Sequence, residues 1–162
     1  MLNYKDVANA FDFENTAQHM LSGSLDALNA CFECCDRHVD GEKVALYWQG
    51  KDGRKEQYTF AQFKQWSSQF ANFLKSQGVG KGDRISGLLP RTSELIITIL
   101  AAWRIGAVYQ PLFTAFGPKA IEHRIKLANS KLVVTDLGNR HKLCEITVKV
   151  SIFRANYKSQ PN

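Results

Sequence analysis

An α/β fold with a parallel sheet is predicted by three features of the 162-residue chain. Short apolar runs recur as RISGLL at 84–89, VYQPL at 108–112 and KLVVT at 131–135. The segments between them carry apolar residues every three or four positions, the period of a helix with one buried face. Gly or Pro punctuates the junctions, as at Pro90, Gly106 and Gly117. Strands alternating with helices of about 10 to 18 residues require parallel pairing, with helices covering the sheet and ligands at the carboxyl ends of strands.

The elements follow in order. Met1 to Gly23 mixes acids and apolar residues and reads as an irregular segment with a short helix. From Ser24, an N-cap residue type, Leu25, Leu28, Phe32 and Cys35 recur at helical spacing with Cys31 beside them, which predicts a helix over 25–37. Val44 to Trp48 and Glu56 to Thr59 flank GKDGRK and predict a β-hairpin. Thr59 and Gln62 have capping-box spacing. Phe63, Trp66, Phe70, Phe73 and Leu74 then mark the core face of a helix reaching Gln77. The strand at 84–89 leads through Pro90 to a helix capped by Thr92, with Leu95, Ile96, Ile99, Leu100 and Trp103 as its expected buried face and Gly106 as its stop. The strand at 108–112, a helix at 119–128 and a strand at 131–135 complete the alternation. EITVKVSIF, at 145–153, alternates well enough to form a further strand.

Two local motifs look chemical and are better explained structurally. GVGKGD at 78–83 is glycine-rich, but it ends a helix and precedes a strand. A phosphate loop must follow a strand and open a helix, so Gly78 reads as a helix C-cap. CFECC places Cys31, Cys34 and Cys35 together, yet His38 and the distant Cys144 do not complete a zinc-ligand spacing. These thiols read as small core residues in a reducing compartment, and no metal ligand is assigned.

Composition sets the outer limits. With 44% hydrophobic and 22% charged residues the chain has the balance of a globular protein, and its net charge is +6. Lys and Arg are scattered rather than grouped, which argues against a nucleic-acid partner. The N-terminus lacks a secretory pattern, and the apolar stretch from Leu95 to Trp103 is too short to span a bilayer, which needs about 20 residues. The expected setting is cytoplasmic, without membrane association.

Taken in order, YTF, the aromatic helix, GVGKGDRI, LLPRTSEL, AAWRIGAVYQPLF, FGPKAIEHRI and KLVVTD resemble the N-terminal part of the adenylate-forming (AMP-binding) acyl-CoA synthetases, with the acetyl- and medium-chain branch most similar. The resemblance covers about Cys31 to Leu143. It implies a partial N-terminal domain of the adenylate-forming fold and, in the complete family, a ligase of fatty-acid metabolism. There a carboxylic acid and ATP give an acyl-adenylate, from which CoA displaces AMP. ATP, magnesium and CoA are the family's cofactors and substrates. The family's Ser/Thr/Gly-rich phosphate loop ending in Pro-Lys-Gly has no counterpart here, since SGS at 22–24 lacks the lysine. No catalytic residue is therefore assigned.

The resemblance also implies CoA contacts. In acetyl-CoA synthetases the strand end matching Phe113, Thr114 and Ala115 reads Phe-Gly-Gly beside the CoA channel, and an arginine matching Arg140 touches the CoA nucleotide. Packing of Phe113 and solvation of Arg140 are the competing explanations. The chain thus divides into an irregular segment at 1–23, an incomplete synthetase domain at 24–143 and a divergent tail at 144–162, as in a truncated gene product. The expected function is that of a synthetase piece, inactive alone. The alternative is a non-enzymatic interaction module, self-associating or pairing with the synthetase remainder.

Overall fold

The computed structural model describes residues 3–153. Two short helices, α1 (Tyr4–Ala10) and α2 (Phe13–Met20), open the chain and bury almost nothing beyond Ala17. Helix α3 (Ala30–Cys34) follows, then the hairpin β1 (Val44–Gln49) and β2 (Lys55–Thr59), and the long helix α4 (Phe60–Ser76). Strands β3 (Arg84–Leu88), β4 (Val108–Pro111), β5 (Leu132–Thr135) and β6 (Lys149–Ile152) alternate with α5 (Ser93–Arg104) and α6 (Pro118–Ala128), and a 3₁₀ turn at Arg140–Leu143 precedes β6.

The four strands form one parallel sheet in the order β4-β3-β5-β6, and the hairpin is a separate antiparallel pair. The chain leaves β3 toward β4 and then returns past β3 to β5, so right-handed crossovers place α5 and α6 on opposite faces. Side-chain alternation agrees. Ile85, Leu132 and Val134 pack with α4 and α5 residues Ala71, Leu74, Ala101 and Ala102, whereas Leu88 and Val133 meet Ile121 and Ile125 of α6. A polar network pins the α6 side: the Ser86 and Ser130 hydroxyls lie 2.6 Å apart, Ser86 donates to Gln110 Oε1 at 2.6 Å, and Gln110 Nε2 donates to the Arg124 carbonyl.

Local signals explain most boundaries. The Thr59–Gln62 capping box is complete, with both reciprocal bonds made. Gly78 ends α4 in the left-handed region at φ +83°. In GVGKGD the Asp83 carboxylate accepts from the Gly80 amide at 2.8 Å and from Lys131 Nζ at 2.9 Å. The turn closes on its own carboxylate.

Three expectations are corrected. The helix over 25–37 is broken: Leu25–Ala27 is a 3₁₀ turn, Leu28 is extended, and α3 begins only after Asn29. Asn29 is the reason. Its side-chain oxygen caps the Phe32 amide at 3.1 Å, and its Nδ2 donates to the last-turn carbonyls of Trp103 and Arg104 in α5. Capping two helices at once requires a non-helical residue there. The buried face therefore shifts to Cys31 and Cys35, leaving Phe32 44% exposed. In α5 the buried residues are Ser93, Ile97, Thr98, Leu100, Ala101 and Ala102, and Leu95, Ile96, Ile99 and Trp103 are only half-buried. SELIITILAAWR is apolar around most of its circumference, so periodicity could not choose the inner side. Finally, the strand expected within 145–153 is confined to Lys149–Ile152, and it joins the sheet as an edge. β6 pairs in register with β5 from Leu132↔Lys149 to Thr135↔Ile152, and the Phe153 ring packs 4.6 Å from that of Phe70. Residues 154–162 of the tail lie outside the described residues.

Candidate functional site

The carboxyl ends of β3 and β4 open into a cleft of about 460 Å³. A parallel sheet gathers its loops at this end, and the neighbouring strands β3 and β4 continue there into α5 and α6 on opposite faces, which leaves a crevice between their ends. Gly87 and Tyr109 form part of its floor, and Leu89, Leu95, Leu112, Phe113 and Phe116 supply apolar wall. Arg91 and Arg124 add two guanidiniums.

Each wall is fixed locally. The segment after β3 is tethered by the Trp48 indole, which donates to the Arg91 carbonyl at 2.8 Å, so the hairpin holds the rim. Phe113 and Phe116 meet edge to face at 5.6 Å between ring centres. Arg124 lies 4.2 Å over the Phe116 ring and donates from Nη1 to the Ala120 carbonyl at 3.0 Å, which holds its guanidinium in place. Tyr109 crosses the sheet surface above Gly87: a Cβ at Gly87 would lie 2.0 Å from the phenol oxygen. That oxygen is buried without a hydrogen-bond partner, and burial pushes the phenol well above its ordinary range.

The residues expected at the site separate into two groups. Phe113 and Thr114 line the cleft, and Phe113 is 57% exposed. Ala115 is exposed and does not line it. Arg140 begins the 3₁₀ turn after β5, also outside the cleft lining. The groups are nevertheless joined, because Lys142 Nζ in that turn donates to the Thr114 carbonyl. Arg140 Nη1 is buried with no hydrogen-bond partner. Sequence reasoning missed Arg91, Arg124 and Lys142. The signal available for Arg91 was its place one residue beyond Pro90 at a strand's carboxyl end. Arg124 and Lys142 are indistinguishable in sequence from solvated charges.

The cysteines make no such site. All four are free, and no group of three His, Cys, Asp or Glu side chains among the described residues could hold a metal ion. Burial pushes the Cys31 thiol up to about 11 and that of Cys35 up to about 12. Beside Cys31, Arg104 makes a two-pronged pair with Asp36, at 2.6 and 2.7 Å, and also donates to Ser67. This cluster fastens the turn after α3 to α5.

A family model described as AMP-binding enzyme matches residues 33–160. The chain belongs to this family. The match runs beyond Leu143, through β6, and so extends past the point at which the motifs alone stop being recognisable. Among similar relatives, an acetyl-coenzyme A synthetase of Psychromonas ingrahamii is 44% identical over 70% of this chain and 18% of its own length. One from Bacillus subtilis is 38% identical over 82% of this chain and 24% of its own length. The solved acyl-CoA synthetase of Brucella canis superposes with a TM-score of 0.90 at 45% identity, covering 100% of this chain and 30% of that one. The fold is thus the N-terminal part of an acyl-CoA synthetase. The chain spans about a fifth of the length of the curated relatives it matches. No described helix is long and apolar enough to cross a membrane.

Proposed function

We propose that this chain is the CoA-facing N-terminal part of an AMP-forming acyl-CoA synthetase, working in the cytoplasm and unable to form an acyl-adenylate by itself. The observation that carries the CoA reading is the Lys142–Thr114 bond, which joins the Phe113–Ala115 strand end to the turn bearing the unpartnered Arg140 Nη1. A buried guanidinium nitrogen without an acceptor suits a phosphate oxygen, and Arg is the side chain best shaped for that contact. Thr114 and Ala115 stand where the resembling synthetases have glycines, so the backbone approach is narrower and CoA contact falls chiefly to Phe113 and Arg140.

The residues do not fit ATP in the same way. The one glycine-rich turn closes on Asp83, and the sequence holds no Pro-Lys-Gly phosphate loop. Stabilising charge at the transferring phosphate is the main catalytic requirement of adenylation, so no adenylation step is assigned to these residues. Titration calorimetry with CoA and dephospho-CoA tests the CoA reading. Arg140→Ala should weaken CoA about tenfold, the effect of losing one charge-assisted bond. Equal binding by wild type and variant contradicts the reading.

A second reading, an interaction module pairing with itself or with the synthetase remainder, is favoured by a separate observation. Ile96, Ile99 and Trp103 of α5, with Ala45 and Phe60, line an apolar groove of about 270 Å³. Helices apolar on all sides are normally covered on all sides. Light scattering during size-exclusion chromatography tests this: association is expected, and a monomer that binds no apolar dye rules it out.

A further inference from the structure

We infer that the apolar groove between α3, α5 and the start of α4 is a modification site, at which the Cys34 thiol adds to an uncharged alkyl enal whose chain lies in the groove. Its volume, about 270 Å³, falls just below the usual range for small-molecule sites and suits a single alkyl chain. Phe60, Phe63, Ile96, Ile99 and Trp103 line it, and the lining contains no charged side chain. A charged ligand would leave water there without a counter-charge, so the groove selects a neutral one.

The two thiols of the groove supply its chemistry, and their surroundings divide the roles. Cys35 is 1% exposed, its Sγ donates to the Phe60 carbonyl at 3.7 Å, and burial pushes its thiol up to about 12, so it serves as wall. Cys34, the last residue of α3, lines the same groove, is free and is exposed, so a reagent seated along Ile96 and Ile99 can reach its sulfur. In the reaction the Cys34 sulfur bonds to the β-carbon of the enal. The carbon–carbon double bond gives its electron pair to the α-carbon, and the thiol proton ends there. Nothing leaves, and no oxidant is required. Acyl transfer to the same sulfur would develop a full oxyanion, for which this lining holds no cation. The inference goes beyond the CoA reading and shares no residue with it, so the two can fail separately.

Cys144 provides an internal comparison, because it is also free and exposed but borders a polar cavity lined by Lys119, Glu122, His141 and Lys142. The test treats the whole chain with crotonaldehyde and with nonenal, reduces the adducts with borohydride, and follows each cysteine by peptide mass spectrometry. The ratio of the nonenal rate to the crotonaldehyde rate is expected to be about tenfold higher at Cys34 than at Cys144, the gain from burying about two methylenes of the longer chain. Ile99→Asn should bring the Cys34 ratio down to that of Cys144 while leaving its crotonaldehyde rate unchanged. Thermal unfolding guards against misfolding, and Ile96→Asn serves as the second variant if Ile99→Asn unfolds. Equal ratios at the two cysteines, or a Cys34 ratio that the groove substitution leaves unchanged, overturns the site. Cys34 reacting more slowly than Cys144 with both reagents also overturns it, because the groove is then covered, as the self-association reading requires.

Discussion

Gly87 and Tyr109 are coupled at the floor of the cleft. Alanine at Gly87 would place a Cβ 2.0 Å from the Tyr109 oxygen and force the ring to move, an overpacking that costs about 1–3 kcal/mol. The phenol oxygen has no partner to lose, so Tyr109→Phe should be neutral or stabilising by up to about 1 kcal/mol. In a Tyr109→Ala background Gly87→Ala should cost less than in the wild type. Urea midpoints measure all three, and a loss above about 1 kcal/mol for Tyr109→Phe would show a hidden partner for the hydroxyl. Cys31 and Cys35 carry a second residue-level prediction. Both thiols are held by burial above their ordinary value of 9.0, so above that pH the unfolded chain binds fewer protons than the folded one. The stability they support is complete below pH 9.0 and is lost as pH rises through about 11 and about 12. Cys31→Ala should flatten the alkaline decline in urea midpoint. An unchanged slope contradicts the assignment. The burial of Cys31 and Cys35 was legible in CFECC as small residues on a helix face, whereas the crossing of a tyrosine over a glycine was not legible in AVYQP, because it depends on which strands pair.

At the scale of elements, the strands and their order of appearance were readable because buried parallel strands are short, apolar and bounded by Gly or Pro. The capping box and the Gly78 stop were readable for the same local reason. Helix α3 was not, since Asn29 takes its role from α5, more than seventy residues away in sequence. The inner side of α5 was not readable either, because nearly every side of it is apolar. β6 shows the limit from the other direction: the alternation of EITVKVSIF announced a strand, but only pairing with β5 and the contact of Phe153 with Phe70 give it a place. Removing 144–162 should therefore destabilise the chain by about 3 kcal/mol or more, since it strips an edge from β5 and opens the Phe70 contact. Thermal unfolding checks this, and a transition unchanged by the deletion would mean that β6 contributes nothing to folding.

For the whole molecule, the candidate site was legible as a place and only partly as a set of residues. The end of the sheet follows from strand–helix alternation, and Phe113 and Thr114 were found there. Arg140 was located on an adjoining turn, and the cations of the cleft emerged only from the packing of Phe116 and the anchoring by Trp48. We propose that this scaffold handles the CoA side of synthetase chemistry without activating the acid. Residues that bind an acid or CoA can be present while the phosphate-stabilising loop is not, and reversible adenylation depends on the latter. The most direct measurement is ATP–pyrophosphate exchange by the purified, folded chain with acetate and with a medium-chain acid. Exchange no greater than the enzyme-free blank is predicted with both acids, in the same preparation that binds CoA through Arg140. Acid-stimulated exchange above the blank would show that the chain activates the acid and overturn that proposal.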